Sequence, residues 1–193
     1  MALLIAGLIV FLGTHSVRVF AEGWRSAQIA RLGLGAYKGI YSAVSLLGFA
    51  LIVIGYGQAR TAPIALWEPP LWTRHVSALL VLFAFVLLVA AYVPRNRIKA
   101  MVGHPMILGV KIWAAGHLLA NGTLSDLLLF GGFLVWAVLD YRAARGRDRS
   151  QGRAVMHPTL AGTVAAIVIG IGLWAAFAFH LHAWLFGVQP FVT

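Results

Sequence analysis

The sequence contains no cysteine, and only five of its 193 residues are acidic. The first absence removes disulfides, thiolate metal sites and cysteine nucleophiles together. The second leaves Glu22, Glu68, Asp126, Asp140 and Asp148 with none adjacent to another, so no paired carboxylates for acid–base work are visible. Nor is there a Ser/His/Asp arrangement in a recognisable context. Charged residues make up 10% of the chain and hydrophobic ones 61%, whereas soluble domains are roughly one quarter charged. A chain this poor in charge cannot supply a polar shell around a soluble core. It is predicted to be all-α, a polytopic membrane protein whose partner is the lipid bilayer, forming a single transmembrane domain over residues 1–193. The formal charge of +10 does not point to nucleic acid, because the basic residues fall in short inter-helix loops rather than on one folded face.

Six apolar runs predict a bundle of six transmembrane helices. Ala2 to Phe20 is the first; without a basic leader or a small-residue cleavage pattern it is expected to be retained rather than cleaved. A polar interval from Ala21 to Lys38 separates it from Tyr41 to Tyr56. A Pro- and Trp-rich loop follows, and Val76 to Val93 is the third span, ended abruptly by Pro94 to Lys99. The fourth is the stretch Gly103 to Asn121, closed by Asn121-Gly122, a helix stop signal. Thr123 and Asp126 stand at capping-box spacing before Leu127 to Leu139, the fifth span, which predicts a tight hairpin. A basic loop from Arg142 to Arg153 precedes Leu160 to Phe179, the sixth span. In that span Gly162, Ala166 and Gly170 repeat every four residues, a small-residue face expected to pack within the molecule.

The basic residues predict an orientation. Arg18, Arg25, Arg31 and Lys38, then Arg95, Arg97 and Lys99, then Arg142, Arg145, Arg147, Arg149 and Arg153 all fall on one side, against Arg60 and Arg74 on the other. The positive-inside rule then puts both termini outside the cytoplasm.

Ionisable groups at bilayer depth cost roughly 2.5–3.5 kcal/mol each for Lys or Arg on insertion scales, so those inside the spans are the candidates for function. His117 shares a helix face with Trp113 and Asn121, one turn to either side; His104 and Lys111 share another. His75, His157, His180 and His182 lie at span boundaries, where an imidazole can reach the interface. His15 and His117 differ, each lying inside an apolar run where it needs a hydrogen-bond partner or a metal. Two neutral imidazoles from separate helices form the ligand set of a b-type haem; two histidines simply hydrogen-bonded within the bundle satisfy the same pattern. Counting 1.5 Å per residue from opposite faces of a roughly 30 Å core puts the two histidines at levels about 9 Å apart. That gap closes if the first helix continues past Phe20 towards Trp24, or if either helix boundary lies a few residues from where the apolar run places it.

Four blocks, GTHSVR at Gly13 to Arg18, RLGLGAYKGIYSAVSLLG at Arg31 to Gly48, GHPMILGVKIWAAGHLLANG at Gly103 to Gly122 and FGGFLVWAVLDY at Phe130 to Tyr141, together resemble the NnrU family, whose plant relative is the cis-trans zeta-carotene isomerase. The resemblance implies an inner-membrane protein with a role in nitrogen-oxide metabolism, in particular denitrification, and a haem b ligated through His15 and His117. A cysteine of the plant enzyme falls on Ala114 here, a departure that counts against isomerase-type ligand switching and leaves the bis-histidine ligand set intact. On this reading Trp113 and Asn121 neighbour the haem pocket, and Lys111 or Arg18 meets a propionate. A hydrophobic small molecule or proteins of respiration and denitrification are the implied partners. Whether the chain is an enzyme, a haem-dependent isomerase or a redox protein, is left open. Two other classes stand beside it. A membrane methyltransferase is suggested by the basic loop before His157-Pro158, and a cofactor-free transporter or assembly factor by Lys111 in a span.

Overall fold

The structure, a computed structural model, describes residues 1–152 and 157–191. Arg153, counted above with the basic loop, lies outside them. All the regular elements among the described residues are helices, with a single isolated β-bridge between Ala65 and Thr123. In chain order the helices are α1 (Ala2–Phe20), α2 (Glu22–Leu32), α3 (Leu34–Ala59), α4 (Trp72–Tyr92), α5 (Arg97–Val102), α6 (Pro105–Ala120), α7 (Leu124–Gln151) and α8 (Leu160–Ala176). A π-helical turn at Phe177–Leu181 then leads into α9 (His182–Phe186). Four of these, α1, α3, α4 and α7, together with the run Leu160–Phe186, are long and apolar enough to cross a membrane; α6 is apolar but shorter, with 16 residues.

Apolarity alone misjudged several boundaries, because backbone breakers set them. The interval after Phe20 is no loop. Gly33, at φ 81°, divides it into the polar helix α2, which buries no residue, and the start of α3. At the other extreme α7 continues twelve residues past Leu139 and carries Arg142, Arg145, Arg147 and Arg149 as its last turns, stopping at Gly152. The expected basic loop is therefore largely helix, with cations placed where the helix dipole favours them. The expected hairpin is present: Thr123 caps α7 by accepting from Asp126 N, and the Asp126 carboxylate accepts from Thr123 N in return.

The spanning helices pack in a row, α3 against α1, α1 against α7, α7 against α6, α6 against α4 and α4 against α8. The α1/α3 seam is close because glycines line it. A Cβ at Gly7 would sit 2.6 Å from Ile52 N, and one at Gly48 2.7 Å from Phe11 N. The small-residue face of α8 packs within the molecule as expected. Gly162 meets the Pro94 and Arg95 carbonyls, Gly170 meets Val86, and Ala166 is fully buried beside Val89 and Ala90.

Asn96 holds the corner between α4 and α5. Its side chain is fully buried; Nδ2 donates to Ala90 O (2.9 Å) and Val93 O (2.6 Å), and Oδ1 accepts from Lys99 N (2.7 Å). One residue thus closes α4 and caps α5. Asn96→Ala removes the cap and strands buried backbone groups, an expected cost of about 2–4 kcal/mol. Denaturant titration of the purified variant in micelles checks this, and an unchanged midpoint would show that the corner holds without Asn96.

Candidate functional site

Each of the two interior histidines is oriented by its own helix. His15 Nδ1 lies 2.7 Å from Phe11 O, and His117 Nδ1 lies 2.9 Å from Trp113 O, both one turn back. A carbonyl oxygen only accepts, so Nδ1 carries the hydrogen in both rings and Nε2 is left with its lone pair. Neither Nε2 has a hydrogen-bond partner among the described residues. Asn121 Nδ2 donates to His117 O (2.8 Å), closing the last turn of α6 below the imidazole. Trp113, His117 and Asn121 therefore share one face, as their spacing predicts.

Aromatic rings surround both. His15 stacks on Phe11 (centroids 4.2 Å apart) and meets Tyr41 of α3 (5.3 Å) and Trp136 of α7 (6.0 Å) edge-on. His117 stacks on Phe130 (4.6 Å) and tilts against Trp113 (5.0 Å). Phe133 joins the two groups, with its ring 5.7 Å from Phe11 and 5.6 Å from Trp113. The path from one histidine to the other thus runs through Phe11, Phe133 and Trp113. Sequence reasoning named Trp113 and missed the rest. The signal was available in the spacing Phe130, Phe133, Trp136, which sets three rings along one side of a helix.

The α7 partners measure the offset between the histidines. Phe130 faces His117 and Trp136 faces His15, a separation of six residues or about 9 Å along the helix. The first helix does not reduce it, since α1 ends at Phe20 and the chain breaks at Ala21 before α2. Two buried polar atoms, Trp136 Nε1 beside His15 and Ser45 Oγ on α3, have no hydrogen-bond partner among the described residues.

The remaining candidates separate from this belt. Lys111 lies mid-way along α6, partly buried, with no hydrogen bond or ion pair among the described residues. Arg18 is exposed at the basic end of α1 and lies 3.9 Å from Glu22. His104 has a definite partner: it precedes α6 as its N-cap residue, and its Nε2 donates to Asp148 Oδ2 (3.1 Å), with Tyr141 edge-on to the ring. It ties the start of α6 to the charged extension of α7. His75, His157 and His180 are exposed, and His182 Nδ1 donates to Val188 O (2.7 Å). Asp126 is a helix cap as expected, and also accepts from Tyr56 OH (2.6 Å). Among the described residues no three or more His, Asp or Glu side chains gather to hold a metal ion; a two-ligand site is a different arrangement.

No curated protein and no solved structure matches the chain. The family described as NnrU protein matches it over residues 3–190. That match covers nearly the whole chain, from the first turn of α1 to beyond α9, and the chain belongs to the NnrU family.

Proposed function

We propose that this multi-pass membrane protein binds haem b through His15 and His117 and serves nitrogen-oxide metabolism in the bacterial inner membrane. The observation that carries the reading is the matched state of the two imidazoles. Each is held through Nδ1 by the carbonyl one turn back, which is how metal-binding histidines are commonly fixed, and each keeps Nε2 for a ligand. The unpartnered indole N–H of Trp136 beside His15 supports it further, since a bound group offering an acceptor there would relieve a buried donor. Bound between two such nitrogens, haem iron would supply one-electron redox chemistry.

The chain's own groups have assigned tasks on this reading. Phe11 O and Trp113 O fix the tautomers, Phe130 and Trp113 set the plane of His117, and Asn121 secures its helix turn. Of the two candidate cations, Lys111 has no partner among the described residues and could meet a propionate; Arg18, facing Glu22, is the less free. The donor chemistry fits haem. The spacing sets a condition: metal–nitrogen bonds of about 2 Å bring the ring centres to roughly 6 Å, against levels about 9 Å apart along α7. A shared iron therefore requires α1 and α6 to approach by a few ångström and the Phe11 and Phe133 rings to yield. The same offset favours the second reading, a cofactor-free membrane factor in which the belt is packing alone.

The absorption spectrum of the purified protein separates the two readings: a haem Soret band supports the first, and its absence sinks it. Orientation has its own test. With both termini periplasmic, a reporter active only in the cytoplasm is expected to be silent when fused to either end, and a signal would reverse the topology.

A further inference from the structure

We infer that the half-open cavity bordered by α1, α2 and α3 at the basic end of the molecule is a binding site for a lipid-soluble quinone, a neutral ring with two carbonyl acceptors and an isoprenoid tail. The cavity has a volume of about 340 Å³, within the range of small-molecule sites. Its polar lining consists of Thr14, whose hydroxyl donates to Val10 O, of Tyr41, and of the three neutral donors Trp24, Gln28 and Tyr37, and its apolar lining includes Val17, Ile40 and Val44. None of those three donor side chains has a hydrogen-bond partner among the described residues.

The charge at its wall selects the headgroup. Arg25 lies over the Tyr37 ring, 5.8 Å from its centre, but its Nη1 is bonded to Glu22 Oε1 at 2.9 Å. Glu22 is shared with Arg18 at 3.9 Å, but no residue of the lining itself is charged, so the lining offers hydrogen-bond donors without a positive charge of its own. Carbonyl oxygens suit such a lining better than a phosphate does. The aromatic rings of Trp24, Tyr37 and Tyr41 give a flat occupant faces to lie against. The site also adjoins the histidine belt, because Tyr41 lines the cavity and meets His15 edge-on at 5.3 Å. Binding stands on the cavity alone; its link to iron rests on the haem reading of His15.

The test titrates the full-length protein in micelles with a decyl-tailed benzoquinone, read by quenching of tryptophan fluorescence. Saturable binding is expected, weakened about three- to tenfold by Gln28→Leu and by Tyr37→Phe, each of which removes one donor. Val44→Trp, which fills the apolar wall, is expected to abolish it while the protein stays monodisperse. Quenching that rises without saturation, or that is the same in all three variants, overturns the proposal. So does displacement of the quinone by an equal concentration of a single-chain phosphocholine lipid, which would make the cavity a general lipid groove. Saturable binding to protein that contains no haem leaves the quinone site standing while the haem reading fails. In protein that does hold haem, a quinone-induced shift of its absorption band is expected, and is lost in Tyr41→Leu.

Discussion

Purified His117→Ala protein is expected to lose its haem Soret band, and His15→Ala to lose it as well, while His75→Ala keeps it. Changing a partner that merely orients a metal-binding histidine typically costs 10–100-fold in affinity. Removing the donor nitrogen should exceed that, so a loss of more than about 100-fold in haem affinity is the expected scale. His75 is the control because it is exposed at the start of α4 and makes no ring contact with the aromatic belt among the described residues. Unfolding could imitate ligand loss, so the variants need the size-exclusion profile and helical circular dichroism of the wild type. His117→Ala leaves Trp113 O without its donor and vacates a place against Phe130, but it touches no helix cap. Phe133→Ala adds an independent arm. If the ring between the histidines has to yield, this variant should retain haem. Full haem content in both histidine variants, or none in the wild type, would sink the proposal.

Gly55→Ala should be the most destabilising single-methyl change on the α1/α3 seam. A Cβ there would lie 2.6 Å from Leu3 C and 2.7 Å from Leu4 Cα, both backbone atoms that no rotamer change can move. The helices would have to part by roughly 1 Å, and overpacking of that kind costs about 1–3 kcal/mol, sometimes more. Gly57 provides the comparison. It lies two residues further on in the same helix with nothing within 4 Å of its Cβ position, so Gly57→Ala should be neutral or slightly stabilising. Thermal unfolding of the two variants side by side decides the matter. Equal midpoints would mean that the seam accommodates a methyl group and that its glycines are incidental.

The residues announced the spans more clearly than the site. Apolar length marked all six runs, and the end of α1 at Phe20 and the start of α8 at Leu160 coincide with what the sequence predicts. The helices beyond the apolar core, α2 and the tail of α7, were hidden because a helix needs backbone hydrogen bonds rather than apolar side chains, and Gly33 and Gly152 were stronger markers than the first arginine. At the site, the i,i+4 relation of His117 to Trp113 and Asn121 was legible because a single helix contains it. Phe133 between the two histidines was not, because its position depends on how α7 packs against both α1 and α6. The Asp148 partner of His104 was obscured for the same reason, sitting 44 residues away on a stretch that had read as loop.

The row in which the helices pack imposes an order of assembly. During synthesis α1 and α3 emerge first and can close their glycine seam early, and α4 and α6 can pair next. The His15 and His117 surroundings stay incomplete until α7 inserts, because Trp136, Phe133 and Phe130 all come from it. A chain released before α7 therefore carries both histidines and an assembled N-terminal hairpin, yet has nothing to hold the two imidazoles in relation to each other. On the proposed haem reading, capture of the cofactor waits until α7 is in place.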